Sequence, residues 1–64
     1  MKVNENYSVE ILAASSDGRG IARVDGQVLF VPGGIPGEVC LVQVVNIGRS
    51  AAHAKLLRIE RPSP

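Results

Sequence analysis

Cys40 and His53 are the only side chains in this 64-residue sequence with the thiol or imidazole that nucleophilic and metal chemistry most often use. A structural zinc site takes four such ligands and a disulfide takes two cysteines, so neither can be built within the chain. Cys40 lies in the apolar run Val39 to Ile47, where a thiol reads as a small buried hydrophobe. His53 has no cysteine or carboxylate beside it and reads as a surface-facing residue. No acid–base pair, activated nucleophile or metal set can be assembled, and catalytic residues are expected to be absent. The cations are more suggestive. Arg19 stands between Gly18 and Gly20, where backbone can approach a phosphate and the guanidinium can fork two oxygens. Arg23, Arg49 and Lys55 extend that into a basic track, and His53 alternates with Lys55. Phosphate contacts from such a track give affinity without reading a base sequence.

The chain that must position these groups is one domain at most. About 60 residues bury only about 60% of their unfolded surface, so the core will be thin. With 45% hydrophobic and 20% charged residues the chain is globular, not disordered. No apolar run approaches the ~20 residues of a membrane helix, and the first six residues are polar, unlike a signal peptide. A cytoplasmic location is the default expectation. The net charge of +1 conceals an asymmetry. Residues 1–40 carry Lys2, Arg19 and Arg23 against Glu5, Glu10, Asp17, Asp25 and Glu38, whereas residues 41–64 carry Arg49, Lys55, Arg58 and Arg61 against Glu60 alone. The basic final third permits a nucleic-acid face, although the overall pI of 8.0 is modest for one.

Glycine and proline cut the sequence into short apolar runs. Asn6 to Ala14 alternates, with Tyr7, Val9, Ile11 and Ala13 on one side, and reads as a strand with one wet face. Ser15 to Gly20 is a loop, Ile21 to Val24 a short strand, and Asp25-Gly26 a strong two-residue hairpin signal returning into Gln27 to Val31. Phe30, flanked by Leu29 and Val31, is expected in the core. Pro32 to Gly37 breaks the chain into a rigid loop; it lacks the Lys-Ser/Thr and following helix of a phosphate loop. Val39 to Ile47 is apolar at almost every position, as in a buried or barrel-wall strand. Ala51 to Glu60 fits a helix by propensity, and fits a strand if a bulge near Leu56-Leu57 switches its parity. Five short strands with glycine-rich turns suggest an all-β fold, a small five-stranded barrel of OB or SH3-like kind.

Three runs make the pattern specific: Gly18-Arg19-Gly20-Ile21-Ala22-Arg23-Val24-Asp25-Gly26, Val28-Leu29-Phe30-Val31-Pro32-Gly33 and Ile35-Pro36-Gly37-Glu38-Val39. Together they resemble the signature of the TRAM domain, an OB-like barrel attached to RNA uracil-5-methyltransferases and tRNA methylthiotransferases, and free-standing in some archaea. The resemblance runs from about Tyr7 to Pro64 and implies that Ala51 to Ile59 is the fifth strand. Ala54-Lys55-Leu56-Leu57 followed by Pro62-Ser63-Pro64 looks like the junction at which uracil methyltransferases pass into a cysteine-rich iron–sulfur segment and then a catalytic domain. The implied organisation is a tail at residues 1–6, the barrel at 7–60 and a linker beginning at 61–64, the N-terminal domain of a bacterial 23S rRNA uracil-5-methyltransferase.

The implied function is an accessory role in holding rRNA or tRNA, through Arg19, Arg23, Arg49, His53 and Lys55. No cofactor is expected in this chain; S-adenosylmethionine, and an iron–sulfur cluster, would belong to the parent enzyme. The expected partners are RNA and the catalytic domain of the same polypeptide, with no membrane and no DNA. Two alternatives stand beside this: a docking module with little RNA affinity, and a free-standing RNA chaperone. The family often places aromatics where this chain has Ala51 and His53, and the alanine removes one stacking platform. An outward patch of Val42, Val44 and Leu57 would favour docking; convergence of the cations would favour RNA.

Overall fold

Asp25-Gly26 turns the chain as its sequence predicts. Both residues adopt positive φ, 54° and 78°, the mirror-image geometry that matches strand twist in a two-residue hairpin. The turn joins Arg19–Val24 to Gln27–Pro32, and its length sets their register: Val24 faces Gln27, Arg23 faces Val28, Ala22 faces Leu29 and Ile21 faces Phe30. The computed structural model describes residues 2–63, so Met1 of the expected tail and Pro64 of the expected linker lie outside the described residues. Its elements are β1 (Asn6–Glu10), β2 (Ala13–Ala14), β3 (Arg19–Val24), β4 (Gln27–Pro32), β5 (Val39–Ile47) and β6 (Ala51–Arg61). Every one is a strand, and they form a single sheet in the order β1-β5-β6-β4-β3-β2.

That order explains how the sheet curls into an OB-like barrel. Its two outer strands, β1 and β2, are consecutive in the chain. Ile11 donates its N–H to the Glu38 carbonyl at 2.9 Å on the β5 side, and Leu12 donates to the Ile21 carbonyl at 2.8 Å in β3. One continuous segment therefore changes partner between two adjacent residues and serves both edges, which leaves little strand edge open to other chains. Six strands replace the expected five because the first run breaks at this exchange. The alternation holds through Val9 and Ile11, both buried, and is lost at Ala13, which is exposed.

The segment Ala51 to Arg61 is a strand throughout. Val42 pairs with Leu56 and Leu41 with Arg58, so Leu57 is an extra residue on β6, a bulge at the position the parity switch requires. β6 runs antiparallel to β5 and parallel to β4, with Phe30 beside His53.

The core is small and aliphatic. Ile11, Ala22, Leu29, Val31, Cys40, Val42 and Ala52 are essentially sealed from solvent, with Tyr7, Val24 and Leu56 packed around them. Alanine at 22, 52 and 54 lets the walls of so narrow a barrel approach. Phe30 is not in this core, contrary to the expectation from its apolar neighbours. Leu29 and Val31 take the buried parity of β4, so Phe30, half-buried, projects from the opposite face.

Beneath β3 the backbone is packed without room for a side chain. A Cβ on Gly20 would lie 3.0 Å from the Gly34 Cα, 3.0 Å from the Gly34 carbonyl and 3.0 Å from Ile11 Cγ2. The Pro32 to Gly37 loop is thereby pressed onto β3. Glu38, almost fully buried, holds the loop's other end, its Oε1 accepting the Ile35 N–H at 2.9 Å.

Candidate nucleic-acid interface

The outer face of β3, β4 and β6 gathers most of the sequence-predicted site residues. Arg19, Ile21 and Arg23 alternate with buried Gly20 and Ala22 on β3. Val28 and Phe30 alternate with Leu29 and Val31 on β4, and Ala51, His53 and Lys55 alternate with Ala52 and Ala54 on β6. Strand pairing aligns these as rows across the sheet. Ile21, Phe30 and His53 form the middle row, with Arg23, Val28 and Ala51 on one side of it; on the other Arg19 pairs with Pro32, and Lys55 follows His53 two residues along β6.

Two ring contacts join the middle of this face into a column. Phe30 and His53 stack with centroids 5.5 Å apart and planes inclined by 27°. The Arg19 guanidinium carbon lies 4.8 Å from the Phe30 centroid, in cation–π range. Arg19 reaches this position from a three-residue hairpin loop, Ser16-Asp17-Gly18, with Gly18 at φ 87°. Ser15 and Arg19 close the loop, the Ser15 N–H donating to the Arg19 carbonyl at 2.8 Å. The Ser15 hydroxyl accepts the Arg19 N–H at 3.1 Å and donates to the Asp17 carboxylate.

Asp17 in turn grips the guanidinium. Its Oδ2 accepts from Arg19 Nε at 3.0 Å and lies 2.7 Å from Nη2. The hydrogen bond from Arg19, then that from Ser15, pull the Asp17 carboxyl down to about 2 from its ordinary 3.8. Arg19 is therefore held over an aromatic ring by its own loop.

The other cations are looser. Arg23 and Lys55 are exposed at the flanks of the same face. Arg49 occupies the β5–β6 turn, just before Ala51, and is exposed. That turn is tied to the start of β4 by a Gln27 Nε2 hydrogen bond to the Gly48 carbonyl at 2.9 Å. The structure thus brings Arg19 and His53 together through Phe30, sets Arg23 and Lys55 beside them, and leaves Arg49 on a turn at the rim.

Phe30 is the member that sequence reasoning left out, and the signal for it was the hairpin register. With Arg23 outward and a two-residue turn, Val28 and Phe30 must also be outward. Val42 and Val44, by contrast, are fully buried, so the apolar patch that would have indicated docking does not form; of that trio only Leu57 is exposed, at 42%. Cys40 is buried as expected, its thiol pushed up first by burial and then by the Glu38 carboxylate. Among the described residues there is no cluster of three metal-ligating side chains and no helix long and apolar enough to cross a membrane.

The TRAM family model matches residues 1–57. The chain belongs to the TRAM domain family. Similar proteins include the 23S rRNA (uracil(1939)-C(5))-methyltransferase RlmD of Pectobacterium atrosepticum, 40% identical over 94% of this chain. The RlmD of Legionella pneumophila (strain Corby) is 45% identical over 91%, and an uncharacterized RNA methyltransferase of Corynebacterium diphtheriae is 42% identical over 89%. This chain spans only 13% of each of those two RlmD proteins and 14% of the third. A conserved protein of Methanococcus maripaludis, solved in solution, superposes on this TRAM domain with a TM-score of 0.84 at 35% identity, covering 89% of this chain and 81% of that one. The same barrel therefore occurs both as a small part of long RNA methyltransferases and as most of a short chain.

Proposed function

We propose that this TRAM domain holds RNA for a uracil-5-methyltransferase, using the outer face of β3, β4 and β6. The observation that carries the reading is the Arg19–Phe30–His53 column set among Arg23, Lys55 and Arg49. Unpaired bases stack on aromatic rings and on guanidinium planes, and flanking cations neutralise the phosphates between them. A face with no enclosed pocket among the described residues suits an extended polymer better than a small metabolite. Phe30 supplies the aromatic surface that alanine at position 51 takes away. The catalytic domain of the same polypeptide would contribute the methyl-transfer chemistry and bind S-adenosylmethionine, and any iron–sulfur cluster would lie there as well. An rRNA-modifying parent implies a cytoplasmic setting. Base stacking and phosphate neutralisation would serve a free-standing chaperone equally, and the short Methanococcus maripaludis chain keeps that reading in view.

The test is the salt dependence of binding to a short single-stranded oligouridylate. Each phosphate neutralised contributes about −0.7 to the slope of log affinity against log salt for single strands. Arg23→Gln is expected to weaken binding across all oligonucleotide sequences and to flatten that slope by roughly one contact's share. An affinity of Arg23→Gln equal to wild type, with an unchanged slope, would remove Arg23 from the face. Absence of binding by wild type at low salt would remove the RNA role altogether.

A further inference from the structure

Resting on that reading, we infer that Asp17, an acidic residue at the edge of an RNA face, promotes RNA binding by fixing Arg19 over Phe30. Charge alone argues the reverse: an anion beside a polyanion's binding site repels it and competes for the arginine. The geometry favours positioning. Asp17 engages Nε and Nη2 on one side of the guanidinium, and the Ser15 hydroxyl fixes the carboxylate from its other oxygen. Ser15 also ties the backbone of Arg19 at both its N–H and its carbonyl. A guanidinium has five donors, and Asp17 occupies only those on the Nε–Nη2 edge. The Arg19 side chain remains 37% exposed, so donors outside that edge stay available for a phosphate or a base. An arginine free in solution would lose several rotors on binding; this one is already ordered, so less entropy is lost when RNA arrives.

Asp17 is thus a positioning residue, and its effect runs through Arg19. The loop that carries both is exposed and closed by backbone hydrogen bonds, so Asp17→Asn leaves the barrel intact. In the free domain, the Arg19 Nε–Hε resonance is expected to be displaced by the Phe30 ring current, and to move toward the position of an unrestrained arginine in Asp17→Asn. With oligouridylate as the probe, Asp17→Asn is expected to bind about three-fold more weakly than wild type, the equivalent of losing a partly exposed cation–π contact. In an Arg19→Lys background the same change at position 17 is expected to cause no further weakening, since a lysine has no plane to orient. Asp17→Asn binding as tightly as wild type, or more tightly, would overturn the inference in favour of simple charge repulsion. An Arg19 resonance unmoved in Asp17→Asn would overturn the positioning itself, whatever the RNA result. Failure of wild type to bind oligouridylate would instead overturn the RNA reading on which the inference rests.

Discussion

Replacing Gly20 by alanine is expected to lower the melting temperature by on the order of 10 °C. The added Cβ would meet three atoms at 3.0 Å, and two of them, the Cα and carbonyl oxygen of Gly34, are backbone. Backbone cannot rotate aside as a side-chain tip can, so the Pro32 to Gly37 loop must yield by a few tenths of an ångström against β3. Overpacking of this kind costs about 1–3 kcal/mol. Loss of unfolded-state freedom on changing Gly to Ala returns about 0.4–1 kcal/mol, so the clash wins. For so small a domain each kcal/mol moves the midpoint by about 4–8 °C. A core of this size supplies only about 3–5 kcal/mol, so Gly20→Val, with two more methyl groups in the same space, is expected to leave the chain largely unfolded. Thermal unfolding followed by circular dichroism measures both. An unchanged midpoint in Gly20→Ala would show that the close approach of β3 and the loop contributes nothing to the fold.

Phe30→Ala is expected to separate binding from stability in the opposite way. A core phenylalanine cut to alanine costs about 3–5 kcal/mol. Phe30 lies outside the core, so its loss is expected to cost roughly 1 kcal/mol or less and to leave the melting curve close to wild type. RNA affinity, however, depends on the ring twice, as a stacking surface beside His53 and as the seat of Arg19. Stacking is worth about 1–3 kcal/mol per base, so affinity for oligouridylate is expected to fall about ten-fold or more. Phe30→Leu keeps the apolar cover and removes the π face, and is expected to bind as poorly as the alanine variant. Binding retained by Phe30→Leu would mean that Phe30 acts as hydrophobic cover alone.

The elements legible in the sequence were those written in local chemistry. Asp25-Gly26 specified a hairpin because only residues tolerant of positive φ fit both turn positions. The parity switch at Leu56-Leu57 located a bulge only once the family resemblance had made Ala51 to Ile59 a strand, since propensity alone fitted a helix; Leu57 is the unpaired residue. What was hidden is tertiary. The first strand exchanges β5 for β3 between Ile11 and Leu12, and nothing in the residue types there marks a change of partner. Phe30 was misplaced because an unbroken apolar run, Val28 to Val31, carries no alternation of its own; the alternation belonged to Arg23 across the hairpin. Site residues were found where charge and glycine flagged them, as at Arg19. The part Asp17 plays could not be read that way, since an acidic residue two positions from an arginine is ordinary until both are seen against a ring.

The most direct test of the RNA-holding face is chemical-shift mapping of the wild-type domain with a short uridine-containing RNA hairpin at two salt concentrations. The expected result is a set of perturbations confined to Arg19, Ile21, Arg23, Phe30, His53 and Lys55, extending to Arg49, and weakening as salt rises. Perturbations clustered instead on exposed Leu57 and Ile59, or none at all at low salt, would contradict the assignment and leave the barrel as a docking element for protein.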